Sequence, residues 1–325
     1  MTKAKPKVIL LLTLFLILSQ VIIARSSTEL NEDARSAVYN AFKALIEAYN
    51  AGGDVSNLTE TLNKALNLTS EAEATAGTNP SEAQALLSEA KTLAENVTDQ
   101  APLIGEEGLR QGQTWMIITI ASVIGAIITG VLIYVFGPDI LWRLWLRLRK
   151  DYIVKVTGVP KQEKGFVITM DQVCAAILGI ILIIAVFMAA QFFLTGRTGE
   201  TFSELGILGP QMRLGDYPKE VVAGDAVNLF VYIGNQMGGP VYYSVMIKIG
   251  DNNTSVNPAP IETSMKLEKI LQQNQNWTSP INIKLTQAGL NQRIIFELWT
   301  YNDTMGGFEY NQRWGQIWLN VTAPP

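Results

Sequence analysis

Two long runs without a single charged residue constrain this chain more than any other feature. Thr114 to Phe136 is 23 residues and Val173 to Leu194 is 22, and neither holds an Asp, Glu, Lys or Arg. A helix of 23 residues extends about 34 Å, enough to cross the hydrocarbon core of a bilayer. Composition agrees: only 17% of the 325 residues are charged, against about a quarter in soluble domains. The spans are therefore expected as transmembrane helices at 114–136 and 173–194. A third apolar run, Val8 to Ile23, follows Lys3, Lys5 and Lys7. It reads as a secretory signal or a retained signal anchor over 1–25. A signal is the preferred reading, although Ile22 is large for the position two before a cleavage after Ala24.

Charge orients the spans. The connector 138–168 holds seven basic residues and three acids, whereas Arg25 to Gln113 holds six basic and fourteen acidic residues. Lys and Arg in short loops mark the cytoplasmic side. This predicts a cytoplasmic connector, with both flanking regions outside. The acceptor pattern Asn-x-Ser/Thr supports the same sidedness. It occurs at Asn57, Asn67, Asn96, Asn252, Asn253, Asn276, Asn302 and Asn320, and never in the connector. N-linked glycans are accordingly expected partners of the chain. Asn- and Thr-rich turns also generate the pattern without its being used.

Directly after the second apolar run, Gly137-Pro138-Asp139 offers a helix break. Leu141 to Lys150 then alternates apolar and basic residues. On a helix, Trp142 and Trp145 would sit at headgroup level, with Arg143, Arg147, Arg149 and Lys150 toward anionic lipid. A simple topology determinant accounts for this pattern better than specific recognition. Within the spans, Ala126 and Gly130, and Ala175 and Gly179, are small residues four apart that let helices approach closely.

Residues 27–110 have helical periodicity. Leu30, Ala34, Val38, Ala41, Phe42, Leu45 and Tyr49 share one face, and Gly52-Gly53 stops it. Asn57 and Glu60 read as an N-cap and its partner for a second helix ending near Gly77. Asn79-Pro80-Ser81-Glu82 is a stronger start for a third. A small extracellular helical bundle follows. Its alanine-rich faces make it weakly stable unless it meets another chain or the domain downstream.

From about residue 205 the period becomes two. Val227 to Ile233 and Val241 to Ile249 alternate around the turn Asn235 to Pro240, which predicts a β-hairpin. Later runs near 281–285, 294–301 and 314–321 bring the count to six to eight strands, the pattern of an immunoglobulin-like sandwich over 205–325. Trp277, Trp299, Trp314 and Trp318 fall in these strands as core or exposed residues. Three stretches carry a resemblance: Gly215 to Asp225, the strand Val227 to Asn235 returning through Gly239-Pro240-Val241-Tyr242-Tyr243, and Phe296-Glu297-Leu298-Trp299 with Trp314 to Thr322. Together they resemble an uncharacterised family of archaeal membrane proteins with a C-terminal Ig-like ectodomain. The family often has more membrane helices upstream than this chain. The resemblance implies an archaeal origin and a position outside the membrane, and it supplies no catalytic residues.

The fold class expected is thus a membrane protein, α plus β. Histidine is absent and Cys174 is the one cysteine, so the usual general base and any disulfide framework are excluded. There is no P-loop and no Gly-x-Ser-x-Gly. The expectation is a non-enzymatic membrane glycoprotein without cofactor, catalytic residue or metal, and without a nucleic-acid partner. Its expected surroundings are the lipid bilayer and protein partners at the surface or in the membrane. Its role would be adhesive or scaffolding, with an accessory subunit of a secretion or N-glycosylation complex as the alternative.

Overall fold

The computed structural model describes residues 29–149, 170–194 and 200–324. The segment 1–25, most of the basic connector and Lys150 lie outside the described residues. Among the described residues, four helices precede eight strands: α1 (29–50), α2 (Ser56–Thr75), α3 (Pro80–Arg149) and α4 (Met170–Leu194). The strands are β1 (Phe202–Leu208), β2 (Glu220–Val222), β3 (Ala226–Gln236), β4 (Val241–Gly250), β5 (Met265–Leu271), β6 (Asn276–Lys284), β7 (Gly289–Asn302) and β8 (Gly307–Thr322). The chain divides into two compact units, one of residues up to Leu109 together with those from Gly199, the other Arg110–Thr198.

In the first unit three helices share a seam of small residues. Ala34, Val38, Ala41, Leu45 and Ala48 of α1 are buried, as are Leu58, Leu62, Ala65, Thr69 and Ala72 of α2 and Ala83, Leu87, Ala90, Ala94, Val97 and Ala101 of α3. Each set runs at alternating spacings of four and three, the repeat that keeps one stripe facing its partners. α1 ends on Gly52 at φ +86, with Gly53 N–H donating to Ala48 O at 3.0 Å and Gly52 N–H to Tyr49 O at 2.9 Å. This is a Schellman ending, and glycine tolerates its left-handed residue. A side chain could not replace Gly108 of α3, whose added Cβ would lie 2.3 Å from Gly53 N. Asn79 starts α3 as expected, with its side chain bonded to Ser81 and Glu82. Asn57 does not start α2. The helix begins at Ser56, and Asp54 accepts both Ser56 N–H at 3.0 Å and its hydroxyl at 2.6 Å.

The strands form two sheets, ordered β1-β3-β6 and β2-β8-β7-β4-β5. One core lies between them, built from Val227, Leu229, Val231 and Ile233 of β3, Tyr243, Val245 and Ile247 of β4, and Ile294, Phe296 and Leu298 of β7. The expected β3–β4 hairpin is absent. β3 pairs with β1 and β6, and β4 pairs with β5 and β7. The turn carries the chain from one sheet to the other because Asn235, fully buried, bonds around a corner. Its Nδ2 donates to Gly239 O and Leu271 O, both at 2.8 Å, and its Oδ1 accepts Met237 N–H at 2.9 Å. Two alternating strands around a glycine-rich turn satisfy a corner as well as a hairpin; the buried amide decides between them.

β4 is buried on both faces, which period-two patterning does not anticipate. Tyr243, Val245 and Ile247 face the inter-sheet core, while Tyr242, with Ile270 of β5, joins the helical cluster. Tyr39 and Phe42 of α1 meet Tyr242, Tyr301 and Phe308, with the Tyr39 and Tyr301 rings stacked at 4.8 Å. The helices therefore form a third layer on the outer face of the five-stranded sheet. Arg35 locks the layer, donating to Glu73 of α2 at 2.6 Å and to Glu268 of β5 at 3.2 Å. Burial opposes its charge, but the two carboxylates outweigh that and raise its pKa. The weak stability expected of a thin bundle is thus offset by apolar burial against the sheet.

The second unit is apolar. One described helix, the stretch Pro80–Gly137 of α3, is long and apolar enough to cross a membrane, with a mean hydropathy of 2.6 in its most apolar window and 6% of that window buried. α4 carries the shorter apolar stretch Leu178–Phe187. The expected break at Gly137-Pro138-Asp139 is not one, because α3 runs on to Arg149. A proline removes one helical hydrogen bond without ending a helix whose neighbours favour it, least of all in an apolar setting. Of the two small-residue pairs, Ala126 and Gly130 lie against α4. A Cβ on Gly130 would touch Leu178 at 3.1 Å, and Ala126 lines a 110 Å³ cavity with Ile181 and Ala185. A Cβ on Gly179 would meet nothing.

Candidate ligand groove

A concavity of about 1170 Å³ forms an open groove between α2 and the β5–β6 edge strands. Local sequence explains both walls. The core stripe of α2 points its opposite side outward, and Asn57, Glu60, Lys64 and Asn67 repeat there at spacings of three and four. β5 and β6 are terminal strands of their sheets, and the 272–275 connection between them carries Gln272, Asn274 and Gln275. The floor is sealed by Asn63 of α2. Its Nδ2 donates to Ile270 O at 2.8 Å and its Oδ1 accepts Ile270 N–H at 2.9 Å. One amide thus replaces the strand that β5 lacks, answering backbone groups that an edge leaves open.

Trp277 forms the groove's aromatic edge, half-buried against the inter-sheet core, with Lys269 Nζ 5.9 Å from its ring centroid. Burial lowers the Lys269 pKa. The rest of the lining mixes amides and hydroxyls with the apolar Leu93, Ile270 and Leu271, and carries one acid, Glu60, and two bases, Lys64 and Lys269. Such a surface offers paired donors and acceptors and one π-face, which suits a polar ligand. Pockets for apolar small molecules are mostly hydrophobic; here amides and charges alternate with apolar side chains. Among the described residues, no three His, Cys, Asp or Glu side chains gather in a way that would hold a metal.

A second polar cluster lies on the outer face of the five-stranded sheet. Lys248 of β4 and Glu297 of β7 are buried and 2.9 Å apart. Lys248 donates to Ala259 O at 2.7 Å, Glu297 accepts Ala259 N–H, and Trp299 Nε1 donates to Glu297 at 3.3 Å. The pair pins the 251–264 segment across the sheet. Arg293 does the same nearby, donating to Thr254 O at 2.8 Å with its guanidinium 4.1 Å from the Trp318 ring. Trp314 and Trp318, each 37% exposed, are surface residues, not core.

The acceptor asparagines do not converge. Asn57 and Asn67 lie on α2 and Asn96 on α3, all exposed; Asn252 and Asn253 form an exposed turn after β4. Asn276 begins β6 and is exposed, while Asn302 ends β7 and Asn320 lies in β8, both half-buried. Asn57, Asn67 and Asn276 share the groove. Trp142, Arg143, Trp145, Arg147 and Arg149 occupy the last turns of α3, with Arg143 and Arg147 exposed. Sequence reasoning missed Asn63, Asn235 and the Lys248–Glu297 pair. The pair left a partial signal: Lys248 is the one charge of β4, and Glu297 interrupts the apolar run Ile294–Trp299 of β7.

Residues 196–320 match a family described as a domain of unknown function (DUF1616). No curated protein matches the chain. Several solved structures are similar in part. A β-glucosidase from Listeria innocua is 13% identical, with 38% of this chain and 16% of that chain covered and a TM-score of 0.25. A CARDB domain from Pyrococcus furiosus, in complex with di-metal ions, is 14% identical, with coverage of 38% and 89% and a TM-score of 0.26. The sporulation control protein Spo0M from Bacillus subtilis is 8% identical, with coverage of 38% and 50% and a TM-score of 0.24. The chain thus spans only about a sixth of the glucosidase's length, and likenesses this slight carry no argument about activity.

Proposed function

We propose that this chain is a non-enzymatic membrane glycoprotein of the cell envelope whose compact head acts as an adhesion or scaffold module. In this reading α3 and α4 both span the bilayer. The basic connector is cytoplasmic, and the helices and strands of the head face outward, with the strands as an Ig-like sandwich. The observation that carries it is the surface of α3. Trp115, Ile117, Ile120, Ile124, Ile127, Ile128, Val131 and Val135 are each at least half exposed. An apolar patch of that extent is incompatible with water and matches lipid. The amide-rich groove of the head, with Glu60, Lys64 and Lys269 on its walls, supports binding of a polar partner, and the charge contrast across the spans supports the sidedness.

Crosslinking in native membranes, followed by mass spectrometry, tests this function. Crosslinks from Lys64 or Lys269 at the groove to surface proteins are expected. Crosslinks confined to α3, α4 or the connector, and leading to secretion or glycosylation machinery, would replace this reading with that of an accessory subunit.

A further inference from the structure

Eight asparagines carry the acceptor pattern, but attachment needs a reachable amide nitrogen and a reachable hydroxyl two residues on. The fold grants these unequally. In the helical sites the hydroxyls are occupied. Thr59 and Thr69 are 3% and 2% exposed and donate to Val55 O and Ala65 O, both at 2.9 Å. Thr98, half-buried, donates to Ala94 O at 3.1 Å. These bonds belong to helices whose opposite side is core, so folding removes Asn57, Asn67 and Asn96 as acceptors.

The strand sites are engaged in other ways. Asn302 Nδ2, the atom that would react, donates to Glu309 at 2.8 Å. Asn320 Oδ1 accepts Asn291 N–H at 2.9 Å, inside the ladder that joins β8 to β2. Asn276 and Thr278 lie in β6 opposite Gly234 and Tyr232 of β3, and Thr278 is half-buried.

The turn after β4 separates its two overlapping patterns. For Asn252 the required hydroxyl is that of Thr254, which accepts Asp251 N–H at 3.0 Å and donates to Asp251 Oδ1 at 2.9 Å. Thr254 also packs against Gly250, where an added Cβ would lie 2.6 Å from its hydroxyl. For Asn253 the hydroxyl is that of Ser255. Both side chains are exposed, and the segment is neither helix nor strand. Its base is firm, with Arg293 holding Thr254 O and Asp251 accepting Asn253 N–H at 3.0 Å.

We propose that Asn253 is the N-glycan acceptor of the folded chain, taking an oligosaccharide from a lipid-phosphate-linked donor. A bond forms between Asn253 Nδ2 and the sugar's C1. The bond from C1 to the phosphate oxygen breaks, the lipid phosphate leaves with the electron pair, and Nδ2 gives up one proton. The inference rests on the outward orientation of the head and deepens it. It also places the sugar away from the groove. β4 starts at the Val241–Leu271 pairing beside the groove and ends at Gly250, about 30 Å away at strand rise.

The test is glycopeptide mapping of the full-length protein from native membranes, with three variants. The Asn253 peptide is expected to carry the glycan, and the peptides of Asn57, Asn67 and Asn96 to be bare. Asn253→Gln and Ser255→Ala should each abolish that glycan. Thr254→Ala, which destroys only the Asn252 pattern, should leave it in place. Asn253 bare while another site is modified overturns the assignment. So does a chain with no glycan whose head is labelled from outside the cell; a head that cannot be labelled from outside overturns the orientation as well.

Discussion

Asn63 uses one side-chain amide to satisfy both backbone groups of Ile270, at a position where α2 and β5 exclude water. Replacing it with leucine keeps the branched shape and heavy-atom count and strands a buried N–H and C=O, each worth about 1–3 kcal/mol. Asn63→Leu is therefore expected to lower head stability by about 3 kcal/mol, read from denaturant midpoints at unchanged slope. An unchanged midpoint would mean that water reaches the β5 edge. The buried tyrosines make a second prediction at this scale. Burial raises the Tyr243 pKa to about 12, from an ordinary value of 10.0, and raises that of Tyr242 well above the same value. The folded state therefore holds these protons more tightly than the unfolded chain. Their contribution is complete below pH 10 and is lost as pH rises from there through the raised folded values. Stability should be flat with respect to these groups from pH 7 to 10. It should then fall by up to about 1.4 kcal/mol per pH unit for each group. Tyr243→Phe should shallow that fall in denaturation measured at pH 8 and 11.

At the scale of elements, the helices were legible because their signal is local. Apolar spacing, Gly52 and Asn79 mark them without reference to anything distant. The pairing of strands was not. Val227–Ile233 and Val241–Ile249 have the alternation of a hairpin, and what separates them into two sheets is Asn235 meeting Leu271, 36 positions away. Likewise Tyr242 reads as the outward side of a half-buried strand, because its burial is supplied by α1, some two hundred residues earlier. The groove is still less legible, since α2 and the β5–β6 edge form it only after packing. That packing is itself testable. Tyr242→Ala should cost about 4 kcal/mol and should lower hydrogen-exchange protection in α1 and in β4 together. Loss confined to β4 would show that the helical layer stands without the sheet.

For the whole molecule, the long apolar stretch of α3 was legible in the sequence, because charge-free length is a property of the chain itself. The sequence does not foretell that α3 continues through Pro138 to Arg149, and it left open whether the helical bundle meets another chain or the strands; helices and strands share one compact unit. The central claim is the sidedness: head outside, connector inside. Because Cys174 is the one cysteine, replacing it with alanine allows single cysteines to be introduced at Ser255 in the head and at Lys155 in the connector. Intact cells would then be treated with a membrane-impermeant maleimide. The account predicts labelling of Ser255→Cys in intact cells, and of Lys155→Cys only after permeabilisation. The reverse pattern would contradict it.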